Sequence, residues 1–219
     1  MIKVGARFSP LSQAQVREVL LELRIHHPDS DFQPLFLKTT GDLDLKSSLR
    51  GLEKTNFFTK EVDDLLVQGL CRIAIHSAKD LPASLPEGLK IIAITEGVDS
   101  ADVLVLRSGE SFDALPSRPV IATSSERREA MVSLLRSDFL FKDLRGTIAQ
   151  RLSKLDSGEA DGVVVAEAAL IRLGLTHLNR VRLPGDGVAL QGKLAIVARH
   201  DDDEMHQLFA CLDSRSLCP

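Results

Sequence analysis

The sequence contains no tryptophan and no tyrosine among its 219 residues, and its nine phenylalanines stand in apolar runs. Proteins that bind single-stranded nucleic acid stack bases on exposed aromatic rings, so this composition argues against such a surface. The net charge of −4 and the pI near 5.9 provide no attraction for nucleic acid or for an anionic membrane. The composition therefore predicts neither a nucleic-acid partner nor a membrane partner.

Cysteine is scarce, and long apolar runs are missing. The three cysteines, Cys71, Cys211 and Cys218, have neither paired nor metal-type spacing, which fits a reducing compartment better than a disulfide framework. The opening segment MIKVGARFSP lacks the apolar core of a signal peptide, and no run reaches the length of a membrane span. These features predict a globular, cytoplasmic protein without a metal site, long enough for one large or two small domains.

Short apolar runs alternate with helix-like segments along the chain. Runs such as IKVGARF, RIAIH and GVVVA are typical of strands, and LSQAQVREVLLELR and TIAQRLSKLDSG have helical patterns. FFTKEVDDLLVQGL is also predicted to be a helix, with Gly69 as its stop signal. Repeated strand–helix alternation predicts an α/β fold whose mixed or largely parallel sheets are flanked by helices.

Two segments rich in turn residues, TEGVDSAD (95–102) and RLPGDGVALQG (182–192), mark the predicted domain junctions. Two crossings of the chain between the same bodies predict a discontinuous first lobe, residues 1–95 plus 190–219. Residues 100–187 are then an inserted second lobe. A ligand cleft between the lobes, on a hinge, is the hypothesis that follows.

Polar and charged residues gather where the predicted strands end. In open α/β sheets, ligands bind outside the carboxyl ends of the strands. Five such ends carry Arg7 and Ser9; Thr40, Gly41 and Asp42; Ser77, Lys79 and Asp80; Ser124, Ser125, Arg127 and Arg128; and Arg145, Gly146, Thr147 and Arg151. This convergence predicts a binding site made from the loops that follow the strands.

The arginines are the most informative members of this set. Arg127 and Arg128 would lie in the first turn of a helix, where the dipole disfavours a cation by roughly 0.3–1 kcal/mol unless an anion joins it. Guanidinium groups bind carboxylates through paired hydrogen bonds, so several of them favour a polycarboxylate or phosphate ligand. The alternative is that these arginines are solvated or pair with Glu126, Glu129 and Asp143. For the set as a whole we favour the ligand.

Lys79 and Asp80 stand side by side after the apolar run RIAIH. They form either a local ion pair of little energetic worth or a carboxylate at a cleft floor, its pKa set by neighbouring cations. The residues by themselves leave these two interpretations open. His76, at the same strand end, is interpreted as a structural histidine whose neighbours satisfy its hydrogen bonds, rather than as an acid–base group.

Three long segments carry a resemblance to a known family: IHSAKDLPASLPEGLKIIAITEGVDSADVLV, IATSSERRE and LRGTIAQRLSKLDSGEADGVVVAEAALIRLGL. Together with ARFSPLSQAQ, TTGD and ALQGKLAIVAR, they resemble the porphobilinogen deaminases, also called hydroxymethylbilane synthases. The resemblance implies two lobes like the domains of type II periplasmic binding proteins. It also implies a transferase of tetrapyrrole and heme biosynthesis that polymerises porphobilinogen with release of ammonia.

By motif, the resemblance implies Asp80 as the catalytic carboxylate, with Lys79 beside it. The residues implied to hold the carboxylate groups of the substrate and cofactor are Arg7, Ser9, Ser77, Thr123, Ser124, Ser125, Arg127, Arg128, Arg145, Gly146, Arg151 and Gln191. The implied cofactor is a dipyrromethane primer, carried by a cysteine of a third domain. The implied partner is the small molecule porphobilinogen, bound by a monomer.

The chain departs from the family pattern in two of its loops. Glu126 replaces an apolar residue between the serine pair and the arginine pair. The segment EKTNFF (53–58) replaces a glycine-rich loop, and its Lys54 is one position off. Both changes bear on the grip on the ligand, so the alternative function is a catalytically impaired, two-lobed polycarboxylate-binding protein.

The attachment of the primer is the third departure. The chain ends at Pro219, so the family's third domain and its cysteine are expected to be absent. Cys71 and Cys211 are expected to be packed. Cys218 is not expected to hold the primer in their place, because a reactive thiol needs a defined electropositive setting.

Overall fold

The computed structural model describes residues 1–45, 47–48, 50 and 55–217, and the chain divides into two compact units. Unit 1 comprises Met1–Asp44, Lys54–Val98 and Gly192–Pro219, and unit 2 comprises Leu45–Glu53 and Asp99–Gln191. The grouping of the segment 45–53 with unit 2 is a feature that the sequence did not indicate.

Each unit contains one five-stranded sheet. The strands are β1 (Ile2–Arg7), β2 (Phe32–Leu37), β3 (Ile73–Ser77), β4 (Leu89–Ile94), β5 (Asp102–Leu106), β6 (Val120–Ala122), β7 (Leu140–Lys142), β8 (Gly162–Ala166), β9 (Arg180–Arg182) and β10 (Leu194–Arg199). The helices are α1 (Pro10–His26), α2 (Thr40–Leu43), α3 (Lys60–Val67), α4 (Glu126–Ser133), α5 (Ile148–Asp156), α6 (Glu167–Arg172) and α7 (Asp203–Phe209). Within the described part of the chain, no helix combines the length and the hydropathy that a bilayer crossing requires.

The sheet of unit 1 has the order β2-β1-β3-β10-β4, and that of unit 2 has the order β7-β6-β8-β5-β9. In unit 1, β1 runs parallel to β2 and β3, whereas β10 runs antiparallel to β3 and β4. In unit 2, β6 runs parallel to β7 and β8, whereas β5 runs antiparallel to β8 and β9. Both sheets are therefore mixed, and the predicted α/β class is confirmed. The antiparallel strands bring strand beginnings to an edge where other strands end.

The core of unit 1 lies on both faces of its sheet. Ile73 and Ile75 of β3 pack with the buried face of α1, whereas Ala74 between them packs with Val62 and Leu66 of α3. Successive side chains of a strand point to opposite faces, so a strand covered on both faces reads as a continuous apolar run. Burial of each large aliphatic side chain contributes roughly 2 kcal/mol, which fixes the strand ends that carry the polar residues.

The structure confirms one predicted helix end, divides one predicted helix and adds one strand that was not predicted. Gly69 has φ +69° just past α3, which confirms the stop signal. FFTKEVDDLLVQGL is not one helix, because Asn56–Phe58 forms a separate 3-10 turn capped by the Thr55 hydroxyl. The strand β9 was not predicted, since a three-residue edge strand with two arginines lacks an apolar run.

Candidate active site

The end of β3 delivers Lys79 and Asp80 on a single 3-10 turn, Ala78–Asp80. Ala78 is buried, and its N–H donates to the Lys193 carbonyl at 3.0 Å, so the turn is tied to the strand beside it. Leu81 is extended, as the residue before a proline must be, and this ends the turn directly after Asp80. The backbone thus sets the position of a half-buried carboxylate.

The two interpretations of Lys79 and Asp80 differ in whether these residues form a local ion pair. Among the residues that the structure describes, no ion pair involving Asp80 is formed within 4 Å. The interpretation of Asp80 as a carboxylate that a ligand meets stays a prediction from the sequence.

A buried glutamine supports the same strand end. Gln15 lies on the inner face of α1, and its Nε2 donates to the Ser77 hydroxyl at 2.8 Å. Sequence reasoning missed Gln15, although a glutamine on the buried face of an amphipathic helix is a visible signal. The contact holds Ser77, one of the predicted site residues, against the helix.

His76 and Asp63 form a second buried pair behind this strand end. Their Nε2 and Oδ1 atoms lie 3.1 Å apart, and both side chains are almost fully buried. Despite this distance, neither atom has a hydrogen-bond partner among the described residues. The burial of His76 agrees with a structural role, but the expectation that its neighbours satisfy its hydrogen bonds is not met at Nε2.

Arg7, at the end of β1, is held by Asp42. Its Nε lies 3.2 Å from Asp42 Oδ2, its Nη2 binds Oδ1, and its guanidinium carbon lies 4.6 Å from the centre of the Phe58 ring. Burial raises the pKa of Asp42, but Arg7 and the Thr39 donors outweigh burial and lower that pKa below its usual value. Ser9 caps α1 by accepting from the Ser12 N–H at 3.2 Å.

The hydroxyl residues that follow β6 shape the loop into α4. Thr123 is buried, and its hydroxyl accepts from the Ser125 N–H at 3.3 Å. Ser124 donates to the Leu144 carbonyl at 3.0 Å and accepts from the Leu144 N–H at 2.7 Å. Ser125 caps α4 through the Arg128 N–H. These hydroxyls have structural partners, and their predicted contact with a ligand would use their remaining hydrogen-bonding capacity.

Arg127 and Arg128 both bind Asp102, a carboxylate that sequence reasoning missed. Arg127 Nη2 lies 2.5 Å from Oδ2, and Arg128 Nε and Nη2 lie 3.0 and 2.6 Å from Oδ1. Gln191 is buried and donates to the same Oδ1 at 3.0 Å. In the described part of the chain, Arg127 and Arg128 form their ion pairs with Asp102 rather than with Glu126, Glu129 or Asp143, the partners considered from the sequence.

Glu129 and Asp143 instead bind Arg50, from the segment 45–53 of unit 2. The guanidinium group of Arg50 lies 2.5 Å from a carboxylate oxygen of each. Burial raises the pKa of Glu129, and Glu126 and Asp143 raise it further, while Arg50 acts in the opposite direction. Arg50 thus pairs with two acidic residues that would otherwise compete with Asp102 for Arg127 and Arg128.

Arg145, Gly146 and Arg151 surround the start of α5. Arg151 Nε donates to the Gly146 carbonyl at 2.8 Å, and Arg145 Nη1 donates to the Ser47 carbonyl at 3.2 Å. Gly146 has φ +95°, a conformation that favours glycine. A cavity of about 350 Å³ lies beside Arg145 and Gly146 and is also lined by Ser47 and Lys154.

The cysteines differ in their surroundings. Cys71 is buried, and burial raises the pKa of its thiol to about 11, so this thiol is protonated and inert as expected. The expectation that Cys211 is packed is wrong, because it is exposed in the 3-10 turn Ala210–Leu212, where Leu212 takes the buried position. Cys218 and Lys54 lie outside the described residues.

Comparison with known proteins identifies the family. Residues 2–207 match the family model described as "Porphobilinogen deaminase, dipyromethane cofactor binding domain". A protein of Chlamydia pneumoniae named "Probable porphobilinogen deaminase" is 40% identical over 215 residues, which cover 98% of this chain and 91% of that protein. A porphobilinogen deaminase of Streptococcus sanguinis is 36% identical over 219 residues, covering 97% of this chain and 72% of the relative.

The fold has wider relatives among solved structures. A periplasmic substrate-binding protein of an ABC transporter from Coxiella burnetii aligns with a TM-score of 0.59 at 14% identity, over 97% of this chain and 92% of that one. This likeness confirms the predicted fold of periplasmic-binding-protein type and nothing about the ligand. The family model and the sequence relatives together establish that the chain belongs to the porphobilinogen deaminase family.

Proposed function

We propose that this chain is a hydroxymethylbilane synthase, which joins porphobilinogen units head to tail with release of ammonia. The family match over residues 2–207 supports this function, as does 40% identity to a relative of nearly the same length. The observation that carries the chemical assignment is Asp80, a half-buried carboxylate on a backbone-anchored turn at the carboxyl end of β3. The cytoplasmic location, the monomeric state and the absence of a nucleic-acid partner stay predictions from the sequence.

Asp80 is assigned the role of the catalytic carboxylate. Loss of ammonia from the aminomethyl group of porphobilinogen leaves a cationic azafulvene, and a fixed carboxylate beside the pyrrole N–H stabilises that positive charge as it develops. The same carboxylate can accept and return protons at the leaving amine and at the ring carbon. Lys79, on the same turn, is assigned a supporting role next to Asp80.

The arginines are assigned the role of binding the acidic side chains of the pyrroles. Each porphobilinogen carries an acetate and a propionate group, so a growing chain presents many carboxylates. Arg127 and Arg128 share the single carboxylate of Asp102, which leaves one positive charge in excess in that group. Arg145 and Arg151 add two more guanidinium groups in unit 2.

The residues present fit the dipyrromethane that gives the family domain its name. A dipyrromethane is a tetracarboxylate. The guanidinium groups of Arg127 and Arg128 are donors of the kind that carboxylates require, and their group with Asp102 carries an excess positive charge. We assign its binding to Arg127, Arg128 and Ser125. When bound, the dipyrromethane supplies the pyrrole carbon to which the first unit is joined.

The decisive experiment measures porphobilinogen consumption and ammonia release by the wild type and by Asp80→Asn. The substitution keeps the size of the side chain and removes its charge, so we expect the rate to fall by about 100- to 10,000-fold. Asp64→Asn is the matched control, because Asp64 is a partly exposed aspartate paired with Lys60. The control should retain the wild-type rate.

A wild type that consumes no porphobilinogen, even with preformed tetrapyrrole added, would overturn the proposed function. Retention of porphobilinogen without turnover would favour the polycarboxylate-binding protein instead. Intact-mass measurement of the purified protein addresses the primer separately. A mass equal to that of the bare chain excludes covalent attachment at any of its three cysteines.

A further inference from the structure

Asp102 is a fully buried carboxylate at the first position of β5. Its two oxygens accept from Arg127, from Arg128 and from the side-chain amide of Gln191, at 2.5 to 3.0 Å. An ionised carboxylate removed from water is destabilising unless charged donors satisfy it. The two arginines and the glutamine supply those donors, so the group is an organised one rather than a chance surface contact.

The strand order explains why a residue at the start of a strand reaches the carboxyl-end edge of the sheet. β5 runs antiparallel to β8, with Asp102 opposite Ala166 at the end of β8. β6 runs parallel to β8, with Ala122 opposite Val163, and α4 follows β6. The beginning of β5 therefore lies at the edge from which Arg127 and Arg128 project.

The exposed fractions of the three charged side chains indicate which of them a ligand can meet. The side chain of Asp102 is 0% exposed, that of Arg128 is 12% exposed, and that of Arg127 is 34% exposed. A ligand can thus approach guanidinium edges while the carboxylate stays covered. Burial raises the pKa of Asp102, but Arg128 and Arg127 outweigh burial and lower it below the usual value.

Gln191 ties this carboxylate to the backbone where the chain enters unit 2. Its Nε2 donates to the Ser100 carbonyl at 2.7 Å and to the Ala101 carbonyl at 3.1 Å, as well as to Asp102. Leu190, the residue before it, has φ +63°, a left-handed conformation that costs roughly 1 kcal/mol for a residue with a side chain. The bonds of Gln191 offset that cost and fix the direction of its amide.

We propose that Asp102 is a positioning residue, supported by Gln191, that holds the guanidinium groups of Arg127 and Arg128 in the orientation that binds the substrate's carboxylates. The inference rests on the proposed function and extends it. Arg127 and Arg128 are predicted to contact the ligand, whereas Asp102 acts only through them. Gln191, predicted from the sequence to bind the ligand, is assigned to the support of Asp102.

Positioning and charge neutralisation predict opposite results for Asp102→Asn. If Asp102 only tempered the positive charge, its neutral isostere would bind an acidic ligand more tightly. Because we propose that Asp102 orients two guanidinium groups, we expect Asp102→Asn to bind the acidic ligand more weakly. Loss of a charge-assisted contact of this kind corresponds to about a tenfold effect.

The experiment measures the porphobilinogen KM and kcat, and the porphobilinogen dissociation constant by calorimetry, for the wild type and Asp102→Asn. We expect KM and the dissociation constant to rise about tenfold while kcat changes less. Asp161→Asn is the matched control, because Asp161 binds Arg107 at 3.1 Å in the same unit, just before Gly162, which pairs with the other end of β5. The control should leave both constants unchanged.

A second measurement reports directly on the hydrogen bond between Arg128 and Asp102. The Arg128 Nε–H should exchange slowly with water in the wild type, by ¹H–¹⁵N NMR, and quickly in Asp102→Asn. If Asp102→Asn does not fold, Gln191→Met carries the test, since it removes one donor and keeps every charge. A rise of about threefold in KM supports the proposal, and an unchanged KM overturns it.

An unchanged or lowered dissociation constant in Asp102→Asn overturns the positioning role. A wild type that binds porphobilinogen without turning it over defeats the proposed function, but the calorimetric comparison still decides the role of Asp102. A wild type that neither binds nor consumes porphobilinogen overturns both.

Discussion

The two units place an arginine at a strand edge in the same way but with different electrostatic outcomes. In unit 1, one arginine meets one aspartate, Arg7 with Asp42, and the pair is neutral. In unit 2, two arginines share Asp102, and one positive charge remains. We infer that the excess charge of the unit 2 group suits it to binding acidic side chains, whereas Arg7 in unit 1 already has its counterion in Asp42.

The two aspartates also differ in burial. The side chain of Asp42 is 16% exposed and is shared with the backbone N–H and hydroxyl of Thr39. Asp102 is not exposed at all and binds side chains from two other parts of unit 2. A buried ion pair depends on both partners far more than a partly exposed one does. The comparison therefore predicts unequal responses to equivalent substitutions.

The largest expected effect is on stability. Asp102→Ala leaves two guanidinium groups without their buried partner, so we expect the free energy of unfolding to fall by about 3 kcal/mol. Asp42→Ala removes a partly exposed partner and should cost about 1 kcal/mol. Urea denaturation of the two variants measures both values. Equal losses would contradict the difference in burial that separates the units.

A smaller effect is expected in acid. The pKa values of Asp42 and Asp102 are lower in the folded chain than in the unfolded one. The stability that they contribute is therefore complete above the unfolded value of about 3.9 and is lost as the pH falls through the folded values. Asp42→Asn should flatten the fall in stability below about pH 4, measured by urea denaturation across pH. A curve parallel to that of the wild type would show that Asp42 is not linked to folding.

The smallest expected effect concerns the aromatic ring of Phe58, which contacts Arg7 in unit 1. Phe58→Leu keeps apolar volume and removes the attraction between the ring and the Arg7 guanidinium group, so it should cost about 0.5–1 kcal/mol. Phe8→Leu is the control, because Phe8 is half exposed. Thermal unfolding of both variants checks the difference, and an equal shift in the two would argue against the ring contact.

Local patterns made most of the strands and helices, and the strand-end arginines, predictable. Apolar runs such as Ile73–Ser77 are recognisable because a strand buried on both faces needs apolar side chains at successive positions. Gly69 and the caps Ser9 and Ser125 follow from backbone rules that act over a few residues. The sequence therefore indicated where Arg127, Arg128 and Asp80 stand along the chain.

Pairing across the sheet was not predictable in this way. The rule that ligands bind at the carboxyl ends of strands considers only those ends. It therefore does not identify Asp102, which lies at the beginning of an antiparallel strand. Gln15 and Ser77, or Arg50 and Glu129, are far apart in the sequence and meet only through the fold. No local pattern states which carboxylate an arginine will meet.

The sequence by itself determined most of the succession of strands and helices, the family, and the residue types available at the strand ends. Only the tertiary structure decided that Asp102, rather than the nearer Glu126 or Glu129, binds Arg127 and Arg128. The reason is geometric. An antiparallel neighbour places its first residue at the edge where parallel strands finish, and the strength of an ion pair depends on distance in space rather than on separation along the chain.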